Sequence, residues 1–137
     1  MPKIKGKLGL KEFYDVIFKE ESISVDEKVM DIVQESFDFL KEFSKNKIIY
    51  GVNTGFGPMA QYKIEESETL QLQYNLIRSH ASGTGNPIPP KYVKAAMLAR
   101  LNTLSLGNSG VHTSVIETMT QLINKNITPL ILSLIHI

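Results

Sequence analysis

Four segments of this chain carry apolar residues at alternating three- and four-residue intervals, three of them closed by glycine, asparagine or proline. Such a pattern builds helices with one apolar face and leaves little chain for strands. The first begins behind Ser24 and Glu27, which are spaced as a capping box. Val29, Ile32, Val33, Ser36, Phe37, Leu40 and Phe43 then share a stripe to about Ser44. Leu70, Gln73, Tyr74, Ile77 and Ala81 mark a second helix from about Glu66 to Ala81, ended by Gly83-Thr84-Gly85-Asn86-Pro87. Pro89 and Pro90 suit the first turn of a third, with Val93, Ala96, Met97, Arg100, Leu101 and Leu104 along one side and Gly107 as its C-terminal cap. Ser114 and Glu117 form another capping box ahead of Val115, Ile116, Met119, Leu122 and Ile123, and Asn126 and Pro129 close that helix. Leu10 to Phe18 makes a shorter helix, and Ser22 to Val25 a short extended piece. The expectation is a mainly α chain of four or five helices with short strands at most.

With 137 residues the default is one domain, large enough for a core without disulfide or metal staples. Fifteen basic and fourteen acidic residues leave a net charge of +1, so no global field draws in nucleic acid or an anionic membrane. The absence of cysteine excludes disulfide frameworks, CxxC redox chemistry and thiolate metal sites, and it fits a cytoplasmic protein. No run approaches the roughly 18 apolar residues of a membrane helix. Lys3, Lys5 and Lys7 resemble the start of a signal peptide, but Gly6, Gly9 and Lys11 break any apolar stretch behind them. The run Leu130-Ile131-Leu132-Ser133-Leu134-Ile135-His136-Ile137 is nearly all apolar. It reads either as a buried last strand or as the mark of a truncated chain, and the second reading divides the chain into 1–131 and an atypical tail, 132–137.

The densest glycine segment is Tyr50-Gly51-Val52-Asn53-Thr54-Gly55-Phe56-Gly57-Pro58-Met59-Ala60. Gly55, Gly57 and Ala60 match the GxGxxA spacing of a dinucleotide loop. That fingerprint needs a helix opening inside it and an acidic strand end about 20 residues later. Pro58 interrupts the first, and the second falls in the middle of a helix. What remains is a turn with positive φ that crowds a tyrosine, an asparagine and a threonine together, as functional loops do.

His80 lies near the end of the second helix, after Ser79 and before a Gly-Thr-Gly breaker. His112 and His136 are too far off to complete a metal-ligand spacing such as HExxH, so no metal site is expected. Ser82-Gly83 and Ser109-Gly110 lack the GxSxG of a nucleophile elbow. Asn53, Asn75, Asn102 and Asn108 can bind a polar substrate or cap turns, and capping is the commoner use. Carboxylates at Asp26 and Glu27 and at Glu65, Glu66 and Glu68 sit near helix starts, where the helix dipole accounts for them.

Two segments say more than their spacing. Tyr50-Gly51-Val52-Asn53-Thr54-Gly55-Phe56-Gly57, followed by Leu72-Gln73-Tyr74-Asn75-Leu76-Ile77-Arg78-Ser79-His80-Ala81, resembles the N-terminal part of histidine ammonia-lyase and its aromatic amino-acid lyase relatives. Arg100-Leu101-Asn102 and Leu106-Gly107-Asn108-Ser109-Gly110-Val111 continue the resemblance, which covers roughly Leu8 to Ile131.

The resemblance implies the N-terminal part of a helical, fumarase/aspartase-like lyase fold whose members assemble as homotetramers, with active sites built from more than one subunit. It implies a non-oxidative elimination of ammonia from an α-amino acid. The β-proton is weakly acidic and the amine leaves poorly, so a placed base and an electrophile are both needed. The family's base is the tyrosine opening the glycine loop, here Tyr50. An ordinary tyrosine has a pKa of about 10, so the complete site must stabilise the phenolate. Gly57 and the pair Ser79–His80 fall at substrate-binding positions. Ser-His at that pair favours L-histidine, giving trans-urocanate. Gly57 to Ala60 and Leu104 to Asn108 look instead like lyases acting on tyrosine or phenylalanine, giving p-coumarate or cinnamate.

The family's electrophile is a methylidene-imidazolone made from an Ala-Ser-Gly tripeptide shortly after the position of Pro129, so no external cofactor is expected. This chain has no such segment there, and Ala81-Ser82-Gly83 belongs to a different motif. The chain alone is therefore expected to be inactive. A reading of a different class is a non-catalytic helical binding domain built from the same piece.

Overall fold

The computed structural model describes residues 1–133. Five helices account for most of them: α1 (Leu10–Phe18), α2 (Glu27–Phe43), α3 (Glu66–His80), α4 (Pro90–Leu104) and α5 (Thr113–Asn124). Four short strands complete the fold. β1 (Lys3–Ile4) runs parallel to β2 (Ser24–Val25), with Lys3 opposite Ser24 and Ile4 opposite Val25. β3 (Thr84–Pro87) runs antiparallel to β4 (Leu132–Ser133) with a register irregularity between Thr84 and Pro87. The apolar tail thus enters a strand at Leu132–Ser133, and its residues 134–137, His136 among them, lie outside the described residues.

The core is an assembly of α1, α2, α4 and α5 closed by the N-terminal segment. Ile4, Val16, Val33, Leu98, Leu101, Ile116 and Ile123 are buried together, with Met30, Met97 and Met119 packed against them. Deleting a buried leucine such as Leu98 removes both its transfer free energy and the packing around it, typically about 2–5 kcal/mol. Side chains also stitch distant chain segments together. Asn102 Oδ1 accepts from Leu8 N at 2.8 Å, which docks the start of the chain on α4. Of the four asparagines singled out by sequence, Asn53 and Asn102 hold backbone, and Asn75 accepts from Gln71 Nε2 on the exposed side of α3.

Helix existence follows the apolar periodicity, but several helix starts do not follow the capping-box spacing. Ser24 lies in β2, and the N-cap of α2 is Asp26, whose Oδ1 accepts from Lys28 N at 3.1 Å. Asp26 N is itself bonded to Ile4 O, so strand pairing sets where the helix can begin. Ser114 is likewise inside α5, and His112 is its N-cap, with Nδ1 accepting from Ser114 N at 3.2 Å. The ring of His112 meets Phe37 edge-on at 5.0 Å, so packing against α2 holds it over the helix end.

The inward face of α4 also differs from the expected stripe. Val93, Leu101 and Leu104 are buried as expected, but Ala96 and Arg100 are exposed, while Lys94 and Leu98 turn inward. Two neighbours, α1 and α5, cover α4 from different sides, so its buried arc is not the single stripe that a one-sided helix shows. In α3 the discrepancy is larger. None of its described side chains is buried, and Leu70, Tyr74 and Ile77 of its shared face lie open.

Candidate active site

The glycine segment folds into a compact loop between α2 and α3. Gly51 (φ 74°) and Gly57 (φ 57°) take left-handed conformations that side chains disfavour, so the chain reverses at both. Asn53 ties the loop down. Its Oδ1 accepts from Ile49 N at 2.8 Å, and its Nδ2 donates to Ser44 O at 3.0 Å and to Lys47 O at 2.7 Å. Its backbone bonds Ile49 O and Ile64 N as well. Thr54 is 1% exposed. Its hydroxyl accepts from Gly51 N at 3.3 Å and donates to Gly55 O at 2.9 Å, and its backbone bridges to Lys63.

Two of the three crowded polar residues are therefore occupied in holding the loop. The third, Tyr50, is 62% exposed, and no side-chain hydrogen bond among the described residues engages its hydroxyl. Its ring is steadied by an edge-on contact with Phe56, centroids 5.9 Å apart at 76°. Phe56 carries no motif signal of its own in the sequence, and the loop geometry makes it the ring that supports the tyrosine. Gly57 opens the single turn Gly57–Met59, with Ala60 N bonding back to Gly57 O at 3.1 Å.

Ser79 and His80 lie in the last turn of α3. Both converge on one carbonyl. Ser79 Oγ is 2.8 Å and His80 Nδ1 2.9 Å from Leu76 O, and the two side chains are 3.1 Å apart. With the imidazole proton on Nδ1, that nitrogen donates to Leu76 O and Nε2 keeps its lone pair for a partner. Tyr50 and Gly57 thus share one loop, and Ser79 and His80 share one helix end. No hydrogen bond or ring contact among the described residues joins the two groups. A cleft of about 630 Å³ opens behind the loop, lined by Lys41, Lys45, Asn53, Lys63 and Thr69, and includes neither Tyr50 nor His80.

An exposed tyrosine on a pinned glycine loop and a histidine with a free ring nitrogen at a helix end are placed on a fold shared with known enzymes. The chain belongs to the aromatic amino acid lyase family, whose profile matches residues 8–134. It is 37% identical over 131 residues to a probable histidine ammonia-lyase of Thermoplasma acidophilum, covering 94% of this chain and 26% of that relative. It is 42% identical over 108 residues to histidine ammonia-lyase of Streptococcus pyogenes, covering 78% of this chain and 21% of the relative. Among solved structures, tyrosine aminomutase from Streptomyces globisporus superposes with a TM-score of 0.88 at 31% identity, over 96% of this chain and 26% of that one. The chain spans about a quarter of the length of the relatives it matches. The mainly helical lyase fold expected from the sequence is the fold observed.

Proposed function

We propose that this chain supplies the base and the ring-binding end of the pocket in an ammonia-lyase converting L-histidine to trans-urocanate and ammonia. The observation that carries the reading is the division of labour in the glycine loop, where Asn53 and Thr54 are consumed by structure and Tyr50 presents an unengaged hydroxyl. As phenolate, Tyr50 takes the β-proton, the electron pair of that C–H bond forms the new double bond, and the amine departs as ammonia. His80 Nε2 accepts the ring N–H of the substrate, with Ser79 beside it, and the backbone at Gly57 leaves room for the ligand.

The electrophile that makes the amine leave belongs, in this reading, to a part of the protein outside this chain. Ala81-Ser82-Gly83 fits it poorly. The tripeptide leads straight into β3, and a Cβ on Gly83 would come within 2.8 Å of Leu132 Cβ, so this backbone is held by strand packing. The 137-residue chain alone is then inactive, and the full-length protein is a cytoplasmic homotetramer.

The tyrosine aminomutase likeness favours a second reading, in which an aromatic ring replaces imidazole and the phenol donates to His80. Product analysis of the full-length enzyme decides between them. Urocanate from histidine supports the first reading, while p-coumarate or a β-amino acid from tyrosine supports the second. Tyr50→Phe should abolish turnover with folding intact, and normal turnover in that variant would refute the assignment of the base. Ammonia release by the purified 137-residue chain would refute its dependence on an outside electrophile.

A further inference from the structure

Lys94 is the charged side chain that α4 turns into the protein. It is 7% exposed, and among the described residues its ammonium has one hydrogen-bond acceptor, Asn126 Oδ1 at 2.6 Å, and no carboxylate within ion-pair distance. Asn126 accepts it from a left-handed turn (φ 54°) just beyond α5. An ammonium has three N–H donors, so two remain for something else. The bond to Asn126 is part-buried, and an anion that reaches an ammonium so placed is screened less than at the open surface.

In front of this ammonium is a hollow of about 240 Å³, open to solvent and lined by Ile17, Glu20, Pro90, Lys91, Lys94 and Thr128 in addition to Asn126. Its charged rim is mixed. Lys91 is exposed and rests its ammonium over the Phe18 ring, 4.5 Å from the centroid. Glu20, held in a left-handed conformation (φ 56°), also lines the hollow, and no ion pair among the described residues joins it to either lysine. The first turn of α4 opens on the same hollow. Pro89 and Pro90 carry no N–H, and the Tyr92 and Val93 amides bond to Pro89 O, so the Lys91 amide is the first-turn donor that no hydrogen bond among the described residues engages.

The geometry points to a small-oxyanion site in this hollow, built from the Lys94 ammonium, the start of α4 and Lys91, and taking a phosphate or a carboxylate group. Lys94 and Lys91 both line this one space, and Glu20 is the single opposing charge among its lining residues. The volume of about 240 Å³ admits a group of a few heavy atoms with its hydration. The site is separate from the loop and helix end proposed to act on substrate, and it does not depend on that reading.

The test is a nuclear magnetic resonance titration of the 15N-labelled chain at constant ionic strength, with inorganic phosphate replacing chloride in one arm and acetate in the other. Saturable amide shifts at Lys91, Lys94 and Asn126 are expected in at least one arm. Saturation by phosphate assigns a phosphate-bearing ligand, and saturation by acetate alone assigns a carboxylate. Lys94→Met should weaken binding by about tenfold or more, the loss of one charge-assisted contact. Lys91→Gln, on the exposed rim, should weaken it less and serves if Lys94→Met does not fold. Glu20→Gln should tighten it by removing the competing charge. Absence of saturation in both arms, unchanged affinity in both lysine variants, or weaker binding in Glu20→Gln would overturn the proposal.

Discussion

Asn124 clasps the backbone of Ile23 from both sides, its Oδ1 accepting from Ile23 N and its Nδ2 donating to Ile23 O, each at 2.8 Å. One side chain at the end of α5 thereby replaces a strand partner for the segment entering β2. The pair spans 101 positions in the chain. Removing it leaves a donor and an acceptor of Ile23 without partners beside a buried side chain. Asn124→Ala should cost about 1–3 kcal/mol, read as a lowered urea midpoint at unchanged slope. Asn124→Asp keeps the acceptor and loses the donor, so it should fall between.

Gly107 follows α4 with φ 72°, and a Cβ there would lie 2.5 Å from Ile32 Cγ2 and 3.2 Å from Ile32 O. Strain and overlap with α2 act together. Gly107→Ala should destabilise by about 1–3 kcal/mol. Gly6 has no heavy atom within 4 Å of its would-be Cβ and no positive φ. Gly6→Ala should therefore leave the melting temperature unchanged, and equal effects of the two substitutions would contradict this account.

Asp26 caps α2 and pairs with Lys3, Oδ2 to Nζ 2.9 Å. The hydrogen bond from Lys3, then that from the Lys28 amide, hold its carboxyl below the ordinary carboxylate range. A carboxylate whose value is depressed in the fold contributes stability that is complete above the unfolded value of about 4 and fades as pH falls through the folded value. Melting temperature should therefore fall on acidification below about pH 4. Asp26→Asn should flatten that fall while lowering stability at neutral pH. A parallel acid profile in the variant would show that other carboxylates set it.

Asn53 makes three side-chain hydrogen bonds within the loop that presents Tyr50. Asn53→Ala should release the loop without unfolding the core, because none of its partners belongs to the buried cluster. Amide exchange at Ile49 and Ile64 should accelerate at least about tenfold while that of Leu98 and Ile116 is unchanged. Uniform acceleration across the chain would instead make Asn53 a contributor to global stability.

Much of this was legible in the residues. Apolar spacing located α2, α3, α4 and α5 within a residue or two, since helix formation there follows from local periodicity and from breakers such as Gly83 and Gly107. The motif around Tyr50 located the loop and the candidate base, and Ser79–His80 the helix end. Helix starts were less legible. A capping box is a local pattern, and at Asp26 and His112 the start was set by pairing with Ile4 and packing against Phe37, residues the local pattern does not contain.

Periodicity determined that α3 is a helix with Leu70, Tyr74 and Ile77 on one side, because that needs only 3.6 residues per turn. Whether such a stripe is covered depends on which elements approach it. Tertiary structure left it open, turned Lys94 inward on α4, and made Asn53 and Thr54 structural while leaving Tyr50 free. Burial and hydrogen-bond partnership are properties of neighbours brought together in space, and spacing along one chain segment does not contain them.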